Sequence, residues 1–76
     1  MNAERRKQLH KLSEILDAAK SDLESIRDDE QKTFDNMPES IQGGEKGDTV
    51  TAAIDALEEA VGDLDNALSN ISTAAE

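Results

Sequence analysis

The chain has no cysteine, tryptophan or tyrosine, and it has only one phenylalanine and one proline among its 76 residues. Without cysteine there is no disulfide bond, no thiolate metal ligand and no cysteine nucleophile. No apolar run is long enough to span a membrane, and the basic residues 5–7 are not followed by the apolar stretch of a signal peptide. We therefore expect a cytoplasmic chain that does not enter the membrane.

Charge is unevenly distributed. The formal net charge is −10, and every Lys and Arg lies at or before Lys46, so that residues 47–76 carry seven acidic residues and no basic one. A chain of this kind repels nucleic acid and anionic lipid. The expected partner is a protein with a basic or apolar surface, although solubility alone would also explain the charge.

Apolar residues recur at the 3-4 spacing of a coiled-coil seam in both halves of the chain, which predicts two helices packed along one seam. The predicted fold class is all-α, an antiparallel two-helix hairpin forming one domain over residues 1–76. Its predicted core consists of the following residues: Leu9, Leu12, Leu16, Leu23, Ile26, Val50, Ile54, Leu57, Val61, Leu64, Leu68 and Ile71.

The ends of the helices follow from capping residues and from Pro38. In chain order we predict helix 1 over about 3–34, a connector over about 35–48 with a short helical turn at 38–42, and helix 2 over about 49–74. Asn2 should cap helix 1, Pro38 should end it, and Asp48 or Thr49 should cap helix 2.

An antiparallel register centred between Gly43 and Gly44 matches the apolar positions of the two halves layer by layer. The same register places Lys20 near Asp65 and Arg27 near Glu58, so that both pairs have opposite charge.

Helix 2 has a further column of apolar residues, in which an alanine recurs every seven residues. Ile15 of helix 1 lies on the same flank of the hairpin. A lone hairpin does not need so wide an apolar face, which favours a homo-oligomer, most simply two hairpins in a four-helix bundle. The alternative is that alanine serves only as a good helix former at the surface. The predicted oligomer interface consists of Ile15, Ala53, Ala60, Ala67 and Ala74.

Catalytic and metal-binding patterns are missing. His10 is the only histidine and has no companion ligands, and the glycine-rich segment 43–49 lacks the Gly-Lys-Thr order of a phosphate-binding loop. The acidic residues near the turn do not alternate as in a calcium-binding loop. We expect neither an enzyme nor a cofactor.

The segment 34–42, which runs from the end of helix 1 into the connector, contains the only phenylalanine and the only proline of the chain. It can either cover the end of the hairpin or form a tip that binds a partner, since distinctive loop residues on a rigid scaffold often carry recognition. The candidate partner-binding residues are Phe34, Asp35, Asn36, Met37, Pro38, Glu39, Ser40 and Ile41.

Four segments carry a resemblance to known proteins: 29–31, 34–42, 45–47 and the Ala-Ile-Asp-Ala-Leu-Glu-Glu-Ala stretch at 53–60. In these segments the chain resembles small acidic helical-hairpin proteins of unknown function from phages, prophages and bacterial accessory genomes. The resemblance implies a helical hairpin of phage or prophage origin, working in the host cell cytoplasm, and implies no activity.

Two functions remain open. The first is a non-enzymatic, oligomeric protein-protein interaction module that binds a host protein. The second is an acidic nucleic-acid mimic that inhibits a host defence or DNA-binding protein, in which carboxylates replace phosphates. The candidate row of carboxylates is Asp55, Glu58, Glu59, Asp63 and Asp65.

Overall fold

The structure, a computed structural model, describes all 76 residues and consists of three helices. They are α1 (Ala3–Asp35), α2 (Glu39–Gln42) and α3 (Glu45–Ala74), which together hold 88% of the chain with no strand. The expected all-α class is confirmed. The molecule measures 58 × 15 × 12 Å, and none of its helices is both long and apolar enough to cross a bilayer.

Helix α1 begins as predicted. The Asn2 side chain accepts a hydrogen bond from the Arg5 backbone N–H at 2.8 Å, which confirms Asn2 as the N-cap. At the other end, the Asn36 N–H donates to the Lys32 carbonyl at 3.0 Å. Pro38 has no N–H and restricts Met37 before it, so the helix stops there.

Helices α1 and α3 lie side by side as a hairpin. The Lys20 Nζ lies 2.6 Å from Asp65 Oδ1, and near the chain ends the Arg6 guanidinium donates to the Glu76 backbone carbonyl at 3.5 Å. The predicted Lys20–Asp65 pair is therefore confirmed. The expected pair between Arg27 and Glu58 is wrong, because Arg27 binds its chain neighbour Asp28 at 3.2 Å instead.

Helix α3 starts four residues before the predicted position. Its N-cap is Gly44, and the Asp48 N–H donates to the Gly44 carbonyl at 3.0 Å, so neither Asp48 nor Thr49 is the cap. The cause is a close approach at Gly47, which is buried in the first turn of α3. A Cβ on Gly47 would lie 2.0 Å from the Gln42 carbonyl oxygen, so only glycine lets α3 begin this close to α2.

Few side chains are fully covered. Ile54 and Val61, both in α3, are the only buried apolar residues, with 6% and 8% of their surface exposed. The remaining apolar residues that contact the opposite helix are half-buried. Two helices alone can shield only the line along which they touch.

Helix α1 is rotated relative to the predicted seam. Leu12 and Ile26 are 49% and 51% exposed, so within the hairpin they are not core residues. The flank that turns towards α3 instead carries Lys20 and Arg27, whose side chains are only 24% and 26% exposed. Both side chains are thus largely covered, and their charged ends lie against the carboxylates of Asp65 and Asp28.

Candidate protein-binding surfaces

The turn of the hairpin, residues 34–47, is fixed by backbone contacts. The Gln42 side chain is part-buried and its Nε2 donates to the Phe34 carbonyl at 2.9 Å, which joins α2 to the last turn of α1. The contact of Gly47 with the Gln42 backbone joins α2 to α3. All three helices therefore meet at one rigid end.

The structure divides the eight candidate partner-binding residues into two groups. Phe34 and Met37 are half-buried, so they contribute to closing the end of the hairpin. The other six form an exposed ridge, in which Ile41 is an apolar side chain 39% exposed among polar and acidic neighbours. The exposed six are Asp35, Asn36, Pro38, Glu39, Ser40 and Ile41.

A second exposed apolar surface runs along α1. We call it the α1 stripe, and it consists of Leu12, Ile15, Ala19 and Ile26, all of which are exposed. Ile15 is the most exposed of the large residues at 55%. The spacing of these residues places them along one side of the helix.

The alanines of the predicted interface lie beside the α1 stripe rather than at the centre of a free face. Ala53, Ala60 and Ala67 are half-buried and Ala74 is exposed. Lys20 and Asp65 meet on one flank of the hairpin, which places these alanines and the α1 stripe together on the opposite flank. The structure thus brings Ile15 and the alanine column to the same side of the molecule.

The acidic row predicted on α3 is solvent-exposed throughout. Of its five carboxylates, only Asp65 is in an ion pair, with Lys20. Glu58 stays free because Arg27 pairs with Asp28. The four unpaired carboxylates, Asp55, Glu58, Glu59 and Asp63, therefore face solvent from the outer side of α3.

The Lys20–Asp65 pair changes the proton affinity of its lysine. The hydrogen bond from Lys20 to the Asp65 carboxylate raises the pKa of Lys20 above its ordinary value of 10.5. Partial burial opposes this effect, and the nearby Glu24 and Asp17 reinforce it. The ammonium group is thus held in its charged form.

No group of three or more His, Asp or Glu side chains converges in a way that could hold a metal ion. His10 is exposed, and its Nε2 lies 3.3 Å from the Glu14 carboxylate one turn away. An open groove of about 310 Å³ lies between the helices near the chain ends, with His10 and Ser13 on one wall and Leu68, Ile71, Ser72 and Ala75 on the other.

Sequence reasoning missed Gln42 and Gly47, the two residues that fix the turn. A signal for Gly47 was present, since it lies seven residues before Ile54 and fourteen before Val61, in the same column of α3. A helix extended back along that column would have included it. Nothing in the sequence indicates that Gln42 reaches the Phe34 carbonyl.

No family model matches the chain, and no match is found among curated proteins or solved structures. The resemblance to phage hairpin proteins therefore stays an expectation from the sequence.

Proposed function

We propose that this protein is a non-enzymatic protein-protein interaction module, an acidic helical hairpin that associates into a four-helix bundle and binds another protein through its turn. The resemblance of residues 29–60 makes a phage or prophage origin and a host protein as partner part of this proposal. The partner would present a basic or apolar surface.

The observation that carries the proposal is how little apolar surface the hairpin covers. Two apolar side chains are buried, whereas five large ones are at least 39% exposed. Single exposed apolar residues are ordinary, but rows of them on a rigid scaffold are typical of binding surfaces. The exposed set is Met1, Leu12, Ile15, Ile26 and Ile41.

The turn supplies a surface suited to a partner. Ile41 is an exposed apolar residue of the ridge, and the acidic residues Asp35 and Glu39 lie near it in the chain. A basic surface with an apolar pocket would complement this arrangement, with the carboxylates at the rim and Ile41 at the centre. The rigid turn keeps the ordering cost of binding low.

Capture from a bacterial lysate at low and high salt tests this proposal. A tag at a terminus leaves the turn free, because both termini lie at the opposite end of the hairpin. We expect the intact chain to retain a specific protein, Ile41→Asp to lose it, and the matched control Ser21→Asp, on exposed surface away from the turn, to keep it. Retention by Ile41→Asp as strong as by the intact chain would contradict binding through the turn.

A second candidate function, nucleic-acid mimicry, is favoured by one observation, the free carboxylates on the outer side of α3. Residues 55–63 span about 12 Å of helix, so their charges lie close together on the outer side of α3. A mimic should compete with DNA for a basic protein and lose affinity steeply as salt rises. Glu58→Gln with Glu59→Gln should abolish that competition, whereas Ile41→Asp should not.

A further inference from the structure

We propose that the α1 stripe is a self-association surface, on which the α1 stripe of a second copy docks antiparallel about a two-fold axis at Ala19. This deepens the proposed function by naming the surface that builds the bundle. It also moves the centre of the interface from the alanines of α3 to Leu12, Ala19 and Ile26 of α1.

The area of the hairpin supports a second copy. Its accessible surface is 5482 Å² for a mass of 8.2 kDa. A compact monomer of this mass would expose about 4,500 Å². The excess of about 1,000 Å² is close to the ~800 Å² that each partner buries in a stable interface of standard size. Docking along one flank of this 58 Å rod would therefore restore an ordinary ratio of surface to mass.

The order of side-chain sizes along the stripe fits a copy of itself. Leu12 and Ile26 each lie seven residues from Ala19, one on either side. A two-fold axis at Ala19 therefore places Leu12 of one copy against Ile26 of the other, with the two small Ala19 side chains between them. Such an interface uses the same patch twice, and the small central residue lets the helices approach closely.

Charge also favours this side. Two chains with a net charge of −10 each repel one another, so they should meet where carboxylates are few. Between Leu12 and Ile26, Asp22 is the only charged residue on the side of α1 that carries the stripe. In the antiparallel arrangement Lys11 of one copy lies within about one helical turn of Asp29 in the other, so that opposite charges meet at both ends.

Sedimentation equilibrium of the purified full-length chain tests the surface. We expect the intact chain to have twice its 8.2 kDa mass at micromolar concentration. Ile15→Lys should weaken the dimer at least about a hundredfold, and the matched control Ser21→Lys should not. Both variants reduce the net negative charge equally, so added repulsion cannot explain a difference between them.

Cysteine substitution tests the two-fold axis, because the chain contains no cysteine of its own. Ala19→Cys should form an inter-chain disulfide rapidly on mild oxidation, and Ser21→Cys slowly or not at all. A dimer in which Ser21→Cys links as fast as Ala19→Cys would overturn the axis.

The outcomes separate this inference from the proposed function. A dimer that survives Ile15→Lys overturns the α1 stripe as the interface and leaves the four-helix bundle standing. A chain that is still monomeric at about 100 μM overturns both the surface and the bundle. Partner capture through Ile41 is measured independently, since Ile15→Lys leaves the turn unchanged.

Discussion

The two ends of the hairpin are held together by different means. At the turn, Gly47 contacts the Gln42 backbone and Gln42 bonds to the Phe34 carbonyl, and Ile54, in the half of α3 nearer the turn, is buried. At the free end, an open groove lies along the line between the helices, and the long 3.5 Å hydrogen bond from Arg6 to Glu76 joins the termini. Backbone contact and burial fix one end, and partly covered side chains hold the other.

This difference predicts a gradient of local stability along the molecule. Regions with few buried apolar contacts open at lower free energy than the rest. The free end should therefore open before the turn, and amide hydrogen exchange should be fastest near residues 3–13 and 65–76. The part of the molecule proposed to bind a partner is the part that stays ordered longest.

The largest expected effect comes from breaking the buried contact near the turn. Ile54→Ala removes one of the two buried apolar side chains and should reduce the free energy of unfolding by about 3 kcal/mol. Leu68→Ala, in the half-buried free end, should cost about 1–2 kcal/mol. Urea unfolding at one fixed protein concentration measures both values. Equal losses would contradict the difference between the two ends.

The next effect tests the close approach at Gly47. Gly47→Ala places a Cβ on the Gln42 backbone, which cannot move as a flexible side chain could, and should cost about 2–3 kcal/mol. Gly62→Ala is the matched control, because no atom lies within 4 Å of its added Cβ. In the helix interior it should raise stability by about 0.5–1 kcal/mol. Thermal unfolding of the two variants should shift in opposite directions, and a stabilising Gly47→Ala would contradict the packed turn.

The smallest effect concerns the Lys20–Asp65 pair midway along the hairpin. The raised pKa means that Lys20 binds its proton more tightly in the folded chain than in the unfolded chain. The contribution of Lys20 to the free energy of unfolding is therefore complete below pH 10.5 and is lost as pH rises through the folded-state pKa. Lys20→Met should remove this loss of stability at high pH. The matched control Lys11→Met, at an exposed lysine with no ion pair, should keep it. Unfolding curves between pH 9 and pH 12 make the comparison, and identical pH dependence in the two variants would contradict it.

The elements of the fold follow from the sequence because they depend on local signals. The apolar spacing predicts both long helices, Asn2 caps the first, and Pro38 ends it. The Lys20–Asp65 pair is also predictable, because an antiparallel hairpin that turns at the glycines brings these two residues close together. Each of these signals involves residues that are neighbours in the chain or layers that repeat along it.

The rotation of α1 and the start of α3 could not be read in the same way. Heptad spacing treats Leu9 and Leu12 as equivalent members of one seam. Which of the two leucines turns towards α3 depends on how Lys20 and Arg27 pack on that side of α1. The start of α3 depends on contact between Gly47 and Gln42, which belong to different helices. The surface left uncovered, and with it the α1 stripe, is a consequence of these tertiary contacts.

Because the two termini lie together at the end opposite the turn, the hairpin has a defined response to mechanical force. A pull on both termini acts across the two helices rather than along them, so the layers separate one at a time from the free end. Resistance should stay low until the opening reaches Val61 and Ile54, and it should be greatest where α2 joins the long helices. The force needed to separate the helices should therefore rise as the opening moves from the termini towards the turn.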